Sequence, residues 1–397
     1  MSNKYDVVIA GGAMAGATLA MALDYCSDHA LKIAVVEPFL ADSQSHPGFD
    51  ARSIALSYGT VEILKRYKLW SLIKDHATPI THIHVSDRGH AAMTDFYAEK
   101  EGLKAMGYVV ELAEVGRRFD QKLNSSPTID FLCPYSVERV VQHQHHVAVS
   151  MKNSDGKINE LEAKLLVAAD GADSKSCQAV GLDQRTHDFG QVAVIANVKT
   201  SEDPCGRAFE RFTKHGPLAL LPMSDERSSL VWCMPPERAQ QVVNLSETDF
   251  LALLQQEFGW RLGRFIKVGA VASYPLLLRH RPQIIKHRVA AVGNAAQTLH
   301  PIAGQGFNLG IRDIATLVDS LLESLQDVGE YANLIKFQSN RRQDRELTIT
   351  MTSGLVHIFS NDFFALRLGR NVGLGLMDNF PNLKSPIFNR ALGVVNR

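Results

Sequence analysis

The run from Tyr5 to Glu37 constrains this chain more than any other stretch. Tyr5–Ala10 (YDVVIA) is short, apolar and rich in β-branched residues, the pattern of a buried parallel strand. Gly11-Gly12-Ala13-Met14-Ala15-Gly16 follows, Ala17–Leu23 continues as an apolar helix, and Ile33–Val36 forms a second strand that ends at Glu37. Strand, glycine turn, helix, strand and an acid about 20 residues on is the order of a dinucleotide-binding βαβ unit. A chain that starts this way is expected to be α/β, with the helix N-terminus at Gly16 facing a pyrophosphate and Glu37 taking ribose hydroxyls. Ala13 stands where that pattern has its middle glycine. Its extra methyl moves either the phosphate or the turn outward, and a βαβ turn without ligand is the alternative reading.

With 397 residues, the chain has material for two or three folding units. Lys+Arg and Asp+Glu both number 42, so no global field recruits nucleic acid. Cys26, Cys133, Cys177, Cys205 and Cys233 are odd in number and form no C-x-x-C. Neither a disulfide framework nor a metal site is expected, and a reducing, cytoplasmic setting is. Two stretches without charge, Val7–Leu23 and Val289–Ile311, mimic membrane segments. Asp6 and the glycine-dense centre argue against a signal peptide in the first. Asn294, Gln297, His300, Pro301, Gln305 and Asn308 argue against a lipid-facing helix in the second.

Further along, a helix is expected at about Gly59–Tyr67, a strand at Ile80–Asp87, and a strand and helix at Val109–Leu123. Arg52 precedes an apolar run, where it covers a ligand or pairs with an acid. Arg117, near a helix start, is a phosphate contact or a surface residue. Asn153-Ser154-Asp155-Gly156 marks a hairpin turn. His143 and His145 are expected on one face of the strand before it, as a solvated face rather than a metal site. Leu165–Ala169 is a buried strand ending in Asp170-Gly171, where α/β sheets place ligands. From Val192 to Met234 the period is near two, an antiparallel sheet that walls a pocket. A helix at Thr248–Phe258 and bent strands over Val268–Leu278 follow. Val289–Asp313 reads as strand, tight turn, extended loop, and a helix from about Asn308. Gly293, Gly304 and Gly306 let backbone approach a ligand there, and a buried crossover is the alternative. Helices over Ile311–Leu325 and Tyr331–Leu355 come next. Arg341, Arg342, Asp344, Arg345 and Glu346 are expected to form a solvated charged face. The apolar tail from Gly354 is expected to dock on the core, with a partner or a membrane surface as alternatives.

Three signatures thus stand in order: Gly11-x-Ala13-x-x-Gly16 with Glu37, Asp170-Gly171, and Gly293-Asn294 with Pro301, Gly304-Gln305-Gly306 and Asn308. Together they resemble the FAD-dependent aromatic hydroxylases of the para-hydroxybenzoate hydroxylase type, over nearly the whole chain. Within that group the segments HPGFDARSIAL, HVSDRGHA, RAFERFTKHGPLALLPMSD, SLVWC, FGWRLG and GNAAQTLHPIAGQGFNLG are similar to the ubiquinone-biosynthesis hydroxylases.

The resemblance implies a Rossmann-like FAD-binding domain (residues 1–75, 107–180 and 280–330). It also implies an inserted antiparallel-sheet substrate domain (76–106 and 181–279) and a C-terminal helical region (331–397). It implies FAD on Gly11, Gly12, Ala13, Gly16 and Glu37, Arg52 beside the flavin, and Arg117 as a further contact. Asp170-Gly171 would serve FAD and the NAD(P)H donor. Asn294 stands where the family has a carboxylate for the ribityl chain, so an amide would do that work. Pro301, Gly304, Gln305, Gly306 and Asn308 would run past the flavin ring, with the helix N-terminus favouring its anionic reduced form. Pro301 and Gln305 would shape the catalytic side, and His300 is the candidate base.

The implied reaction is ring hydroxylation of a membrane-derived polyprenyl phenol through a flavin C4a-hydroperoxide. The enzyme would sit in the cytoplasm, in contact with the inner membrane face and other ubiquinone-biosynthesis proteins. Three alternatives remain: hydroxylation at another ring position, an FAD-dependent isoprenoid reductase, and a non-catalytic scaffold that keeps the fold.

Overall fold

The computed structural model describes residues 3–39, 52–89, 93–301, 304–359 and 388–394. Its core is a sheet in which Val289–Ala291, Ile158–Ala168, Lys4–Ala10, Ile33–Val36 and Ile129–Leu132 lie side by side and parallel. Val7, Val8, Ile9, Leu165, Leu166 and Val167 are all fully buried, because both faces of the sheet are covered. One face packs the helix Met14–Cys26 and the loop helix Gln305–Leu321. The other is closed by Tyr135–Gln142 and Val147–Asn153, which continue the sheet as an antiparallel ladder. Apolar runs without alternation are what burial on both sides demands.

A second, largely antiparallel sheet holds Ala272–His280, Arg185–Thr200, Arg227–Met234, Gly216–Pro222 and Arg207–Thr213 in that order, then His82–Asp87, which runs parallel to Arg207–Thr213, and Met93–Tyr97. Here the residues alternate. Val194, Phe209, Leu218 and Trp232 face the helices Pro236–Val243 and Glu247–Phe258, packing on Phe250, Leu254 and Phe258. Each such apolar side chain contributes about 1.5–3 kcal/mol on burial. Ala193, Ile195, Val231 and Leu276 occupy the opposite face. Ser53–Ser57, Gly107–Glu111 and Thr78–Ile80 form a small third sheet between the two. We take the two large sheets as the basis of the proposed FAD-binding and substrate units.

Three expectations are corrected. His143, His145 and His146 lie in the turn that closes Tyr135–Gln142 onto Val147–Asn153, not on a strand. The Gln142–Val147 pairing leaves them as a loop, where the His143 and His146 rings stack at 4.4 Å. The loop helix starts at Gln305 rather than Asn308, since Gly304 takes the left-handed conformation (φ 60°) and acts as its N-cap. The charge run on the long helix Tyr331–Phe359 is not a solvated face: Arg341, Asp344 and Arg345 are 1%, 7% and 5% exposed. Only Arg342 and Glu346 face solvent, paired at 3.0 Å.

The buried charges knit the long helix to the loop helix. Arg341 donates to Asp313 at 2.8 Å and to Asp344 at 2.8 Å, and Arg312 donates to Asp344 at 2.8 Å. Arg345 donates to the Gln297 side-chain oxygen at 2.7 Å, whose amide donates to Asp313 at 2.5 Å. Burial pushes the Asp344 carboxyl up, but Arg312 and Arg341 outweigh it and hold it below the ordinary aspartate range. A helical pattern with charges on every side reads as exposed unless its partner helix is known.

Most of the tail from Gly354 lies outside the described residues. Its end, 388–394, docks on the body. Phe388 stacks on Phe96 at 5.2 Å, Gly59 N–H donates to the Leu392 carbonyl at 2.7 Å, and Arg390 reaches Asp344 at 3.3 Å.

Candidate active site

Sheet register brings the signatures together. Ala10 pairs with both Val36 and Ala168, and Ala168 pairs with Ala291. Gly11, Glu37, Asp170 and Gly293, which follow those strand ends, therefore share one edge of the parallel sheet. That C-terminal edge is where open α/β sheets bind ligands.

The glycine turn is built without spare space. Gly11 has φ 97°, and a Cβ there would lie 2.5 Å from the Ala169 carbonyl oxygen. A Cβ on Gly16 would lie 1.8 Å from the Gly11 carbonyl oxygen, and one on Gly12 would meet the Phe131 ring at 2.9 Å. Ala13 is the extended N-cap of the first helix and gives no side-chain cap. The helix's first N–H groups thus remain available to an anion. Glu37, 4% exposed, accepts from Gly12 N–H at 2.5 Å and from Phe39 N–H at 3.0 Å. A carboxylate at this strand end, after a glycine turn, is the group that takes ribose hydroxyls in such a unit.

Asp170 accepts from Ser176 N–H through Oδ2 at 3.1 Å, while its Oδ1 is buried without a partner among the described residues. Gly171 follows at φ 85°. A buried acceptor left unmade costs about 1–3 kcal/mol, and a hydroxyl-bearing ligand would satisfy it. The cramped glycine turn, the open helix end and this orphaned oxygen fit a dinucleotide such as FAD.

The remaining residues differ in what they reach. Gly293 (φ 60°) opens a tight turn wedged between Ala15 and Gly310; Asn294 beside it is exposed. Asn308 is fully engaged by protein. It accepts from Ser57 N–H at 2.9 Å and donates to the carbonyls of Ala55 (2.9 Å) and Gly304 (2.7 Å). Asn308 therefore staples the start of the loop helix to the third sheet. Gln305 donates to the Ala391 carbonyl at 3.3 Å, which ties the docked C-terminal end to the same loop. Gly306 sits in the first turn of the loop helix.

Arg117 pairs with Glu114 one turn back and is half exposed. One turn on, Asp120 is near enough to act with Glu37 on Cys133. Burial first, then those two charges, push that thiol up to about 11. His300 is 1% exposed, meets the Gln191 side-chain oxygen at 3.2 Å and packs edge-on to Phe189. Burial pushes its pKa down to about 4, so it is neutral near pH 7.

The pocket itself was only outlined by sequence. A cavity of ≈ 410 Å³ lies between Arg52 and Pro301 on one side and Ala193, Ile195, Val231 and Leu276 on the other. Tyr274 and Asn197 also line it, and Arg52 lies over the Tyr274 ring at 5.3 Å. The signal for Ala193, Ile195 and Asn197 was present as alternation; nothing in sequence pointed to Tyr274. No metal was expected, yet His82, His84 and Asp95 converge elsewhere, on His82–Asp87 and Met93–Tyr97. Both imidazoles meet the same Asp95 oxygen, at 2.7 and 2.8 Å.

The FAD binding domain family matches residues 4–351. The chain belongs to that family and is an FAD-dependent aromatic hydroxylase. More narrowly, it is similar to ubiquinone hydroxylase UbiL of Rhodospirillum rubrum, at 33% identity over 393 residues (98% of this chain, 90% of that one). It is also 32% identical over 408 residues to the 3-demethoxyubiquinol 3-hydroxylase of Escherichia coli (99% and 100% covered). Among solved structures, p-nitrophenol 4-monooxygenase of Pseudomonas putida superimposes with TM-score 0.81 at 19% identity (98% and 99% covered), a likeness of fold.

Proposed function

We propose that the chain hydroxylates the ring of a polyprenyl phenol, converting a 2-polyprenyl-6-methoxyphenol to its 1,4-benzoquinol with NAD(P)H and O₂. The observation that carries this reading is the apolar cavity between the Arg52–Pro301 wall and the antiparallel sheet, of a size for one substituted ring. When bound, FAD would accept hydride from NAD(P)H and activate O₂ for transfer of one oxygen atom to the ring.

The chain's own residues supply the rest. The glycine turn and Glu37 hold the adenosine end, and Asp170 accepts from a ligand hydroxyl. Pro301, with Ala193, Ile195, Val231 and Leu276, orients the ring and keeps water out. Asn308 and Gln305 anchor the loop, and neutral His300, held by Gln191, positions Pro301. A second reading, oxygen placed at another ring position, is supported by the 3-hydroxylase named in Escherichia coli.

Aerobic turnover of a short-chain 2-prenyl-6-methoxyphenol under ¹⁸O₂ separates the two. One labelled oxygen para to the original hydroxyl is the expected result; label at another carbon supports the second reading. An unchanged phenol under air, with turnover under argon, would replace both with a reductase.

The tail of such a substrate resides in a bilayer, and contact with an anionic membrane surface belongs to the same proposal. No helix among the described residues is long and apolar enough to cross a membrane. Trp260 is 66% exposed and Ile266 54%, and both precede Gly269 and Ala270, which line the cavity. Arg261 and Arg264 are exposed between them, and Lys267 just after them. Interfacial tryptophan with flanking cations suits an anionic lipid surface. Of the three tryptophans, Trp232 is buried and Trp70 half-buried. Brominated phosphatidylglycerol vesicles should therefore quench emission in the parent and lose most of that quenching in Trp260→Phe. Equal quenching in both would refute contact at this edge.

A further inference from the structure

We propose that Glu210 is the general base that removes the phenol proton from the ring bound in the cavity, a role resting on the phenol reading above. Pairing in the antiparallel sheet places it there. Glu210 pairs with Ala219, Ala219 with Val231, Val231 with Ile195, and Ile195 with Ala272. Directly paired residues point to the same face of a sheet, so these five form one row on one face. Ile195, Val231 and Ala272 line the cavity. Glu210 stands two strands from Val231, roughly 10 Å at the usual strand spacing. A glutamate side chain and the width of a ring span that gap. The residue between them is Ala219, whose methyl leaves the way open.

Two observations fit a carboxylate on the face of the cavity strands. Burial pushes up the thiol of Cys233, which is on the Val231 strand and the same face, and the Glu210 charge adds to that rise. Glu210 also keeps some accessible surface although its strand lies inside the sheet. It has no hydrogen-bond or ion-pair partner among the described residues. Its neighbour Arg211 points to the other face, where it bonds the Glu257 carbonyl and lies near Arg88.

Burial alone pushes the Glu210 carboxyl up to about 7. A base is most effective when its pKa lies near the working pH. The titratable groups that share its surroundings are few. Cys233 comes from the Arg227–Met234 strand and Asp87 from the His82–Asp87 strand, on the same face as Val85. The Gly216–Pro222 strand contributes none. From the long helix, Val356 packs with Val85 and Phe212 and brings no charge.

The step balances simply. The phenol O–H bond breaks, its proton bonds to a Glu210 carboxylate oxygen, and the electron pair stays on the phenolate. The phenolate is the electron-rich ring that accepts an electrophilic oxygen at its ortho or para carbon. The proton leaves Glu210 to solvent after turnover, and nothing is oxidised or reduced in this step.

The test compares the parent with Glu210→Gln, an isosteric change, and Glu210→Asp. In the parent, kcat should rise with pH through about 7 and then level. The sign follows because only the ionised carboxylate accepts a proton. Glu210→Gln should lose about 100- to 1,000-fold in kcat, within the span of a general base. It should also lose the limb near 7, while bound flavin and the rate of flavin reduction by NAD(P)H stay unchanged. Glu210→Asp should recover part of the rate and the limb. Binding of the phenol at pH 8 should red-shift its absorbance in the parent, as its O–H donates to the Glu210 carboxylate, and should leave it near its solution position in Glu210→Gln. This readout needs no turnover, so it separates failure of this assignment from failure of the reaction reading. A parent-like absorbance shift, kcat and pH limb in Glu210→Gln would overturn the proposal. So would loss of flavin from Glu210→Gln and Glu210→Asp together, which would make the residue structural.

Discussion

Gly16→Ala is expected to yield a folded protein that has lost at least 90% of its flavin, on the order of a tenfold or greater loss in affinity. The added methyl would lie 1.8 Å from the Gly11 carbonyl oxygen, and the obstacle is backbone, which has no rotamer to yield. The turn must open, at about 1–3 kcal/mol for overpacking, and opening it moves the N–H groups of the first helical turn away from a pyrophosphate. Gly171→Ala is the comparison. Nothing lies within 4 Å of its Cβ, so only the strain of φ 85° acts, about 1–2 kcal/mol. The ratio of flavin to protein absorbance reports the loss, and far-ultraviolet circular dichroism reports the fold. Flavin content at the parent level in Gly16→Ala would mean that the turn does not cradle the cofactor.

Asp313→Ala is expected to destabilise the fold by about 3–5 kcal/mol, lowering Tm on the order of 10 °C. Asp313 is 0% exposed and serves both Arg341 and Gln297. Around it Arg281, Arg312, Arg341 and Arg345 are each at most 5% exposed, with Asp344 the other carboxylate in the network. Removing one carboxylate leaves guanidinium charge buried without compensation, which costs far more than losing a surface pair. Asp313→Leu combined with Arg341→Met should cost less than Asp313→Ala alone, because charge and partner leave together. Thermal melts of the three proteins, with and without added FAD, measure both effects. A shift within about 1 °C for Asp313→Ala would show that water or a neighbour already satisfies the arginines.

Part of this site was legible because its chemistry is local in the chain. Gly11 to Glu37 carries strand, turn, helix and acid in one continuous run. Asp170-Gly171 and Gly293-Asn294 each follow their own buried strand. Parallel strands with glycine at their ends can place those residues only on one edge of a sheet. Asn308 read as a ligand contact for the same reason, its neighbourhood in sequence. Its side-chain amide bonds Ala55 and Ser57, about 250 positions away, which no window on the sequence connects. The charge run at Arg341–Glu346 read as exposed for want of the same long-range information. Helical spacing shows which residues share a face, but the identity of the facing helix decides whether that face is wet.

By itself, then, the chain's order of apolar runs and glycines determined an α/β architecture with a dinucleotide edge, because backbone geometry and alternation act over a few residues. Tertiary structure alone decided three further matters. It placed Glu210 in one row with Val231 and Ile195, buried the arginines of the long helix against Asp313 and Asp344, and spent Asn308 on a strand far away in the chain. Each depends on strand register or helix packing between distant segments. Burial and partner, which set the charge state and the task of a polar side chain, are properties of those contacts and not of the residue.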